Sequence, residues 1–307
     1  MEIGIFGLPD DDQVKILKKR IENKGGKPLI INFKEFPTNV KMYFDEEKII
    51  LNGKNLLDMH SFYIRQLGYF WPVPQIKLTM EQWVKYYGKY NDLLFSEREH
   101  LSFKHSMIRM LDKEKLVVNP YDSFIYHRMK PYQFYLFYKN GLPVPSFVAG
   151  GAKELIEKYD LTKMVYKPLG GGAEVIMAEE FVEKNKENIE KRVVLFQDYI
   201  EGDNIRVFAL ENELIGAAKL VHGPQVDSRV EQLALEIVKI PEDVKEITLK
   251  ALHILGMKFS GVDFMRTKDG NYYLLECNPS PMFYVFEMIS GIKVSEKLAE
   301  YLIKEGK

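Results

Sequence analysis

Cysteine is almost missing: Cys277 is the single one in 307 residues. No intrachain disulfide can form, and a reducing cytoplasm is the expected compartment. An excess of either charge is also absent. The 43 Lys and Arg offset 44 Asp and Glu, leaving a formal net charge of −1. That balance gives no electrostatic reason to expect nucleic acid as a partner. No apolar run approaches the ~20 residues of a membrane helix. The opening Met1-Glu2-Ile3-Gly4-Ile5-Phe6 lacks a basic segment followed by an apolar one, so neither a signal peptide nor a membrane partner is expected. With 46% hydrophobic and 28% charged residues, the length suits two or three compact units that can bury a core without cross-links.

Ile3–Gly7 reads as a buried strand, and Asp10 is placed to cap a helix whose Val14, Leu17 and Ile21 share one face before Gly25-Gly26 ends it. With a second strand over Pro28–Phe33, the chain opens as a βαβ unit. A hairpin follows from Tyr43 to about Leu57 with Asn52-Gly53 at a turn, then a strand at 62–66. This gives an N-terminal α/β domain over residues 1–95. Residues 96–150 read as mainly helical, broken by a short strand at 116–119 and by Gly141-Leu142-Pro143-Val144-Pro145. Further on, strands are expected at 163–167, 174–178, 193–199, 205–210, 213–219, 259–265 and 272–278, with helices over 179–190, 241–255 and 293–304. That alternation describes an α+β half built on antiparallel sheets.

The sharpest inference lies in Phe259 to Pro279. Asp269-Gly270 between two apolar runs signals a two-residue hairpin turn. If Lys268 pairs with Asn271, Asp263 stands directly opposite Glu276, and Asn278 follows on the same face. Val262, Phe264, Leu275 and Cys277 would then take the other face. Opposed carboxylates lie ~5 Å apart at Cβ and repel. A divalent cation removes that objection, and two acids with one amide suit Mg²⁺; a solvated outer face that tolerates the acids is the alternative.

Val165-Tyr166-Lys167-Pro168-Leu169-Gly170-Gly171-Gly172 ends a strand with a lysine and glycines whose N–H groups can approach phosphate oxygens. Taken alone, it could equally be a flexible turn. Lys130 opens a helix, and Arg206 and Lys219 interrupt apolar strands. Each cation calls for an anion or an acid partner, so ligand contact and simple salt bridges both account for them.

Together these segments resemble the ATP-grasp superfamily, in particular RimK-type glutamate ligases, in order from about residue 115 to 304. Several details are similar to the microviridin-type peptide-modifying ligases: Ser96-Glu97-Arg98-Glu99, Val117-Val118-Asn119-Pro120, Lys130-Pro131-Tyr132-Gln133, and Val226-Asp227-Ser228-Arg229. The resemblance implies an ATP-grasp fold, with a central helical region and smaller lobe over 96–190 and a C-terminal lobe with the metal site over 191–307. It implies ATP bound by Lys130, Lys167, the loop Gly170-Gly171-Gly172, and Gln197, Tyr199, Ile200, Glu201 and Asp203. Asp263, Glu276 and Asn278 fall on the metal ligands, implying two Mg²⁺ ions with Mn²⁺ as a substitute. Arg206, Arg229 and Lys219 fall on the catalytic side.

The activity implied is ligation of a carboxylate to an amine or hydroxyl through an acylphosphate, with ADP and phosphate released. A kinase stopping at phosphoryl transfer is the alternative. Substrates implied are small-molecule or peptide carboxylates such as glutamate or an acidic peptide, and the chain would act as a homo-oligomer. Asn204 stands where the family pattern Asp-Ile-Arg has its acid, which leaves Glu201 or Asp203 for the ribose.

Overall fold

The computed structural model of the chain describes residues 1–66, 79–170, 175–222 and 232–306. The chain forms two compact units, one of Met1–Val117 with Ala299–Lys307 and the other of Val118–Leu298.

In the first unit, β1 (Glu2–Phe6) pairs in parallel with β2 (Lys27–Ile31) and β6 (Ser61–Ile64), and α1 (Asp12–Asn23) makes the crossover. Asp11, not Asp10, caps that helix, its carboxylate accepting the Gln13 N–H at 2.7 Å. A small sheet of β3 (Met42–Phe44), β4 (Ile49–Leu51) and β5 (Lys54–Asn55) turns at Asn52-Gly53. Both turn residues have positive φ, at 48° and 85°, as a two-residue hairpin turn of this kind demands. The helical region starts earlier than the sequence suggests: α2 runs from Met80 to Glu114 and opens on a Thr79–Gln82 capping box. Among the described residues, its buried side chains are Met107, Ile108 and Leu111 in the last turns. β7 (Leu116–Val118) lies next to β6 in the sheet.

The second unit carries two antiparallel sheets. After α3 (Ile125–Arg128) and α4 (Lys130–Lys139), the strands β8 (Phe147–Gly151), β9 (Met164–Lys167), β10 (Ile176–Met177) and β11 (Val193–Asp198) assemble in the order β10-β9-β11-β8. The segments α5 (Ala152–Lys158) and α6 (Ala178–Asn185) pack with it around Phe181 and Phe196. Strand β8 and helix α5 carry little alternation and were not expected. The helix expected over 179–190 stops at Asn185 and continues as 3₁₀ turns over Lys186–Lys191.

The second sheet has the order β14-β13-β12-β15-β16, formed by β12 (Asp203–Leu210), β13 (Glu213–His222), β14 (Gln232–Ile237), β15 (Phe259–Arg266) and β16 (Tyr272–Asn278). One face packs on α4 and on α7 (Glu242–Ile254), where Phe134, Phe137 and Leu252 meet Val207, Val262, Phe264, Leu274 and Cys277. Burial of this face, at roughly 1.5–3 kcal/mol per large apolar side chain, leaves the other free to carry polar groups. α8 (Tyr284–Ser290) and α9 (Val294–Glu305) follow. The buried Glu287 carboxylate accepts both the N–H and the hydroxyl of Ser295.

Candidate active site

The hairpin that carries the two acids reaches the expected pairing by an unexpected route. Asp263 does lie opposite Glu276, Val262 opposite Cys277 and Gly261 opposite Asn278. The turn, however, is not the two-residue Asp269-Gly270. Thr267 N–H donates to Asn271 O and Gly270 N–H to Thr267 O, closing a three-residue loop with Gly270 at φ 83°. That loop shifts the ladder by one residue, so that Met265 faces Tyr273. An irregularity between Asp263 and Phe264, where Phe264 faces Leu274 and Leu275 is the extra residue, shifts it back.

The bulge also corrects the facing. Leu274, not Leu275, joins Val262, Phe264 and Cys277 in the core. Leu275 instead lines a cleft beside Glu276.

This cleft lies between the two sheets of the second unit and opens to solvent. Lys130, Lys167 and Arg206 enter it together with Asp263 and Glu276. Arg206, paired in register with Asp263 across β12 and β15, donates from Nε and Nη2 to the two oxygens of that carboxylate, each at 2.7 Å. Lys130 Nζ lies 2.6 Å from Glu276 Oε2, with the lysine side chain 6% exposed and the glutamate 18%. Lys167 Nζ donates to the bulge carbonyl of Leu275 at 3.2 Å and sits 5.1 Å from the centre of the Phe134 ring.

Burial pushes the Glu276 carboxyl up. The Lys130 and Lys167 ammonium groups and the Lys130 hydrogen bond outweigh that and hold it well below the ordinary carboxylate range, with His127 adding to them. Burial likewise lowers the Arg206 guanidinium, and Asp263 more than restores it. The Cys277 thiol is pushed well above its ordinary value by burial and by both neighbouring carboxylates. The thiol is therefore packing, not a nucleophile.

The other expected residues are distributed unevenly. Gln197, Tyr199 and Ile200 line the cleft, and the buried Gln197 Nε2 has no hydrogen-bond partner among the described residues. Glu201 is exposed and ion-paired to Lys268. Asp203 is shared by Lys219 and Arg266, at 2.8 and 2.7 Å. Neither Asp203 nor Lys219 is among the described residues lining the cleft. Burial raises the Asp203 carboxyl, and the hydrogen bonds from Arg266 and Lys219 lower it further than that. Gly170 follows β9, and the carbonyl of its neighbour Leu169 accepts the Lys130 N–H at 3.3 Å. Gly171, Gly172 and Arg229 lie outside the described residues.

Val165, Val175, Asp198, Asn204, Met265 and Leu275 also line the cleft; Asp198 and Asn204 stand in segments that carry the family likeness without being assigned as ligands, and the others were not named as site residues. Asn204 and Met265 were accessible by strand parity, each standing two residues from Arg206 or Asp263. Leu275 was not, because only the bulge turns it inward.

The donor set can be tested against a divalent cation. Among the described residues no three His, Cys, Asp or Glu side chains gather as a metal cluster. The set is instead two carboxylates and an amide, all hard oxygen donors suited to Mg²⁺ with water and phosphate completing its shell. Asp263 and Glu276 face the cleft from adjacent strands, next to cations that phosphate oxygens would draw away. Asn278 is on the same strand face as Glu276 but is not among the described residues lining the cleft; its Oδ1 accepts the Ser280 N–H at 3.0 Å, one lone pair of an oxygen that has two. The residues fit.

Comparison with known proteins agrees with this geometry. Residues 130–302 match the RimK-like ATP-grasp domain. A tetrahydromethanopterin:alpha-L-glutamate ligase from Methanocaldococcus jannaschii is 27% identical over 221 residues, covering 66% of this chain and 75% of that protein. Among solved structures, the ATP-grasp ligase PsnB complexed with minimal precursor superposes with a TM-score of 0.82 at 24% identity, covering 98% of both chains. The macrocyclase MdnC from Microcystis aeruginosa, bound with precursor peptide MdnA, gives 0.76 at 18% identity, covering 99% of this chain and 100% of that one.

Proposed function

The chain belongs to the RimK-like ATP-grasp family and is an ATP-dependent carboxylate ligase; we propose that it joins glutamate, or an acidic side chain of a peptide, to an amine or hydroxyl. The single observation that carries this is the meeting of Lys130, Lys167 and Arg206 with the opposed acids Asp263 and Glu276 in one cleft. The glutamate named for one relative and the precursor peptides bound by others support the substrate class. The relatives named are ligases, and nothing favours a kinase that stops at phosphoryl transfer.

In this proposal Gln197, Tyr199 and Ile200 receive the base, with Val165, Met265 and Leu275 as the apolar walls. Glu201 and Asp203, the acids expected at the ribose, are both held in ion pairs, which favours Asp198 or Asn204. Asp263, Glu276 and Asn278 would hold two Mg²⁺ ions, or Mn²⁺ in their place, which would supply charge neutralisation for phosphoryl transfer. Lys130 and Arg206 would exchange carboxylate oxygens for phosphate oxygens, and Lys167 would move from the Leu275 carbonyl to a phosphate. The γ-phosphoryl passes to the substrate carboxylate, breaking its bond to ADP. The amine or hydroxyl then attacks the acyl carbon, loses its proton and expels phosphate. Preorganised cations are the physical source of rate, and Arg229 is proposed to bind a substrate carboxylate.

Release of ADP across a panel of carboxylates paired with amines or alcohols, followed by product mass, is the test. A condensed product lighter than its parts by one water supports ligation; a stable gain of phosphate overturns it. Glu276→Gln should abolish ADP release, and wild-type rates in that variant would remove the metal assignment.

A further inference from the structure

Two buried amide side chains that take no part in the proposed chemistry grip the metal-bearing hairpin at its open end, away from the turn. Asn119, fully buried, uses its whole amide on the backbone. Its Oδ1 accepts the Lys258 and Phe259 N–H groups at 2.7 and 2.8 Å, and its Nδ2 donates to the carbonyls of Phe259 and Pro279. Phe259 begins β15 and Pro279 directly follows β16, so a single side chain joins the entry of one strand to the exit of the other.

Gln133, 1% exposed, acts near the end of β16. Its Oε1 accepts the Cys277 N–H at 2.9 Å and its Nε2 donates to the Cys277 carbonyl at 3.2 Å. β16 is the edge of its sheet among the described strands. The main-chain groups of Cys277 point to that edge, and the amide of Gln133 satisfies them as a neighbouring strand would. Cys277 stands between Glu276 and Asn278 in the chain. Gln133 also lies one helical turn after Lys130, which pairs with Glu276.

We infer that Gln133 and Asn119 are positioning residues for the metal ligands, with Gln133 setting how far Glu276 projects into the cleft and where Asn278 stands beside it. The bulge at Leu275 makes this necessary. A bulged edge strand has lost ladder bonds on one side and has no strand on the other, so its local register depends on the helix beside it. The inference rests on the metal assignment proposed above.

The experiment measures Mn²⁺ binding by electron paramagnetic resonance with a non-hydrolysable ATP analogue present, and nucleotide binding alone in EDTA. The variants are Gln133→Met, which keeps length and volume, Gln133→Glu, which keeps an acceptor for the Cys277 N–H, and Asn119→Asp. Loss of an outer partner of a metal ligand weakens binding by about 10- to 100-fold. Gln133→Met should lose Mn²⁺ affinity on that scale, with kcat falling in parallel and nucleotide affinity in EDTA kept. Gln133→Glu should lose less than Gln133→Met, and Asn119→Asp should also weaken Mn²⁺.

Mn²⁺ affinity unchanged in folded Gln133→Met overturns the inference, as does equal loss of nucleotide affinity in EDTA. Should Gln133→Met fail to fold, wild-type Mn²⁺ affinity in Gln133→Glu and Asn119→Asp overturns it. Failure of the metal assignment itself is separate: Glu276→Gln would then bind Mn²⁺ in the presence of the ATP analogue as tightly as the wild-type protein does.

Discussion

The Lys130–Glu276 pair makes a prediction that needs neither substrate nor metal. Both side chains are largely buried and lie 2.6 Å apart. Removing one partner of such a pair leaves a charge without compensation, which costs about 3–5 kcal/mol. The two removals are not equivalent, because Glu276 also feels Lys167 and His127. In Lys130→Met the carboxylate keeps those cations. In Glu276→Gln the buried Lys130 loses its carboxylate, and a neutral amide oxygen is a weaker acceptor.

Glu276→Gln should therefore destabilise more than Lys130→Met, and the double variant should be more stable than the sum of the singles indicates. At roughly 2–4 °C per kcal/mol for a unit of this size, losses of ~6–20 °C in Tm are expected for the worse single. The assay is thermal unfolding in EDTA without nucleotide, read as a double-mutant cycle. The carboxyl is held low in the folded state, so its contribution is present above the ordinary 4.5 and is lost as pH falls below that toward the depressed value. Wild type should lose stability over that acid window more steeply than Glu276→Gln. Additivity of the two substitutions within about 0.5 kcal/mol, or equal acid sensitivity, would refute the reasoning.

Other consequences can be checked directly. Arg206→Lys should lose about 100-fold in turnover or more, since a point charge cannot reproduce the two-point contact with Asp263; near-normal steady-state rates would count against the assignment. Lys219→Met should stay within about fivefold of wild-type turnover, because its pairing with Asp203 is partly exposed and such pairs contribute only about 0–1 kcal/mol. A dead variant would return Lys219 to the chemistry. Cys277 should resist alkylation by iodoacetamide at pH 8 in the folded protein and react on unfolding, given its burial and raised thiol. Gly202→Ala should cost about 1–3 kcal/mol in chemical denaturation, as a Cβ there runs into the backbone carbonyl of Arg266.

Much of the fold was legible because the patterns were local. The βαβ opening, the Asn52-Gly53 turn and the strands flanking the acids follow from periodicity and turn chemistry, and all appear near their expected bounds. The pairing of Asp263 with Glu276 was legible for a less secure reason. A two-residue turn was assumed, and the three-residue loop and the bulge displaced the ladder by equal and opposite amounts. Neither displacement has a sequence signature, since Leu274 and Leu275 are the same residue and only packing decides which enters the core. Lys130 and Lys167 could be named from the family likeness, but their partners could not, because contacts between residues 130 and 276 are set by how α4 docks on β16. Gln133 and Asn119 escaped for the same reason: an amide looks alike in sequence whether it faces water or a strand edge.

The paired displacements also bear on how such a hairpin can vary among related chains. Because the bulge lies between the loop and the acids, the loop is mechanically insulated from the chemistry, as a slip joint separates two lengths of pipe. Length changes at Lys268-Asp269-Gly270 alter only the outer ladder, which can re-pair around Arg266 and Tyr272. Removing the extra residue at Leu275 would likewise leave Glu276 on the cleft face, between Leu274 and Cys277 in the core, whereas removing Cys277 would carry Asn278 to the apolar face. The spacing from turn to carboxylate is thus free to drift, while the spacing from Glu276 to Asn278 is not.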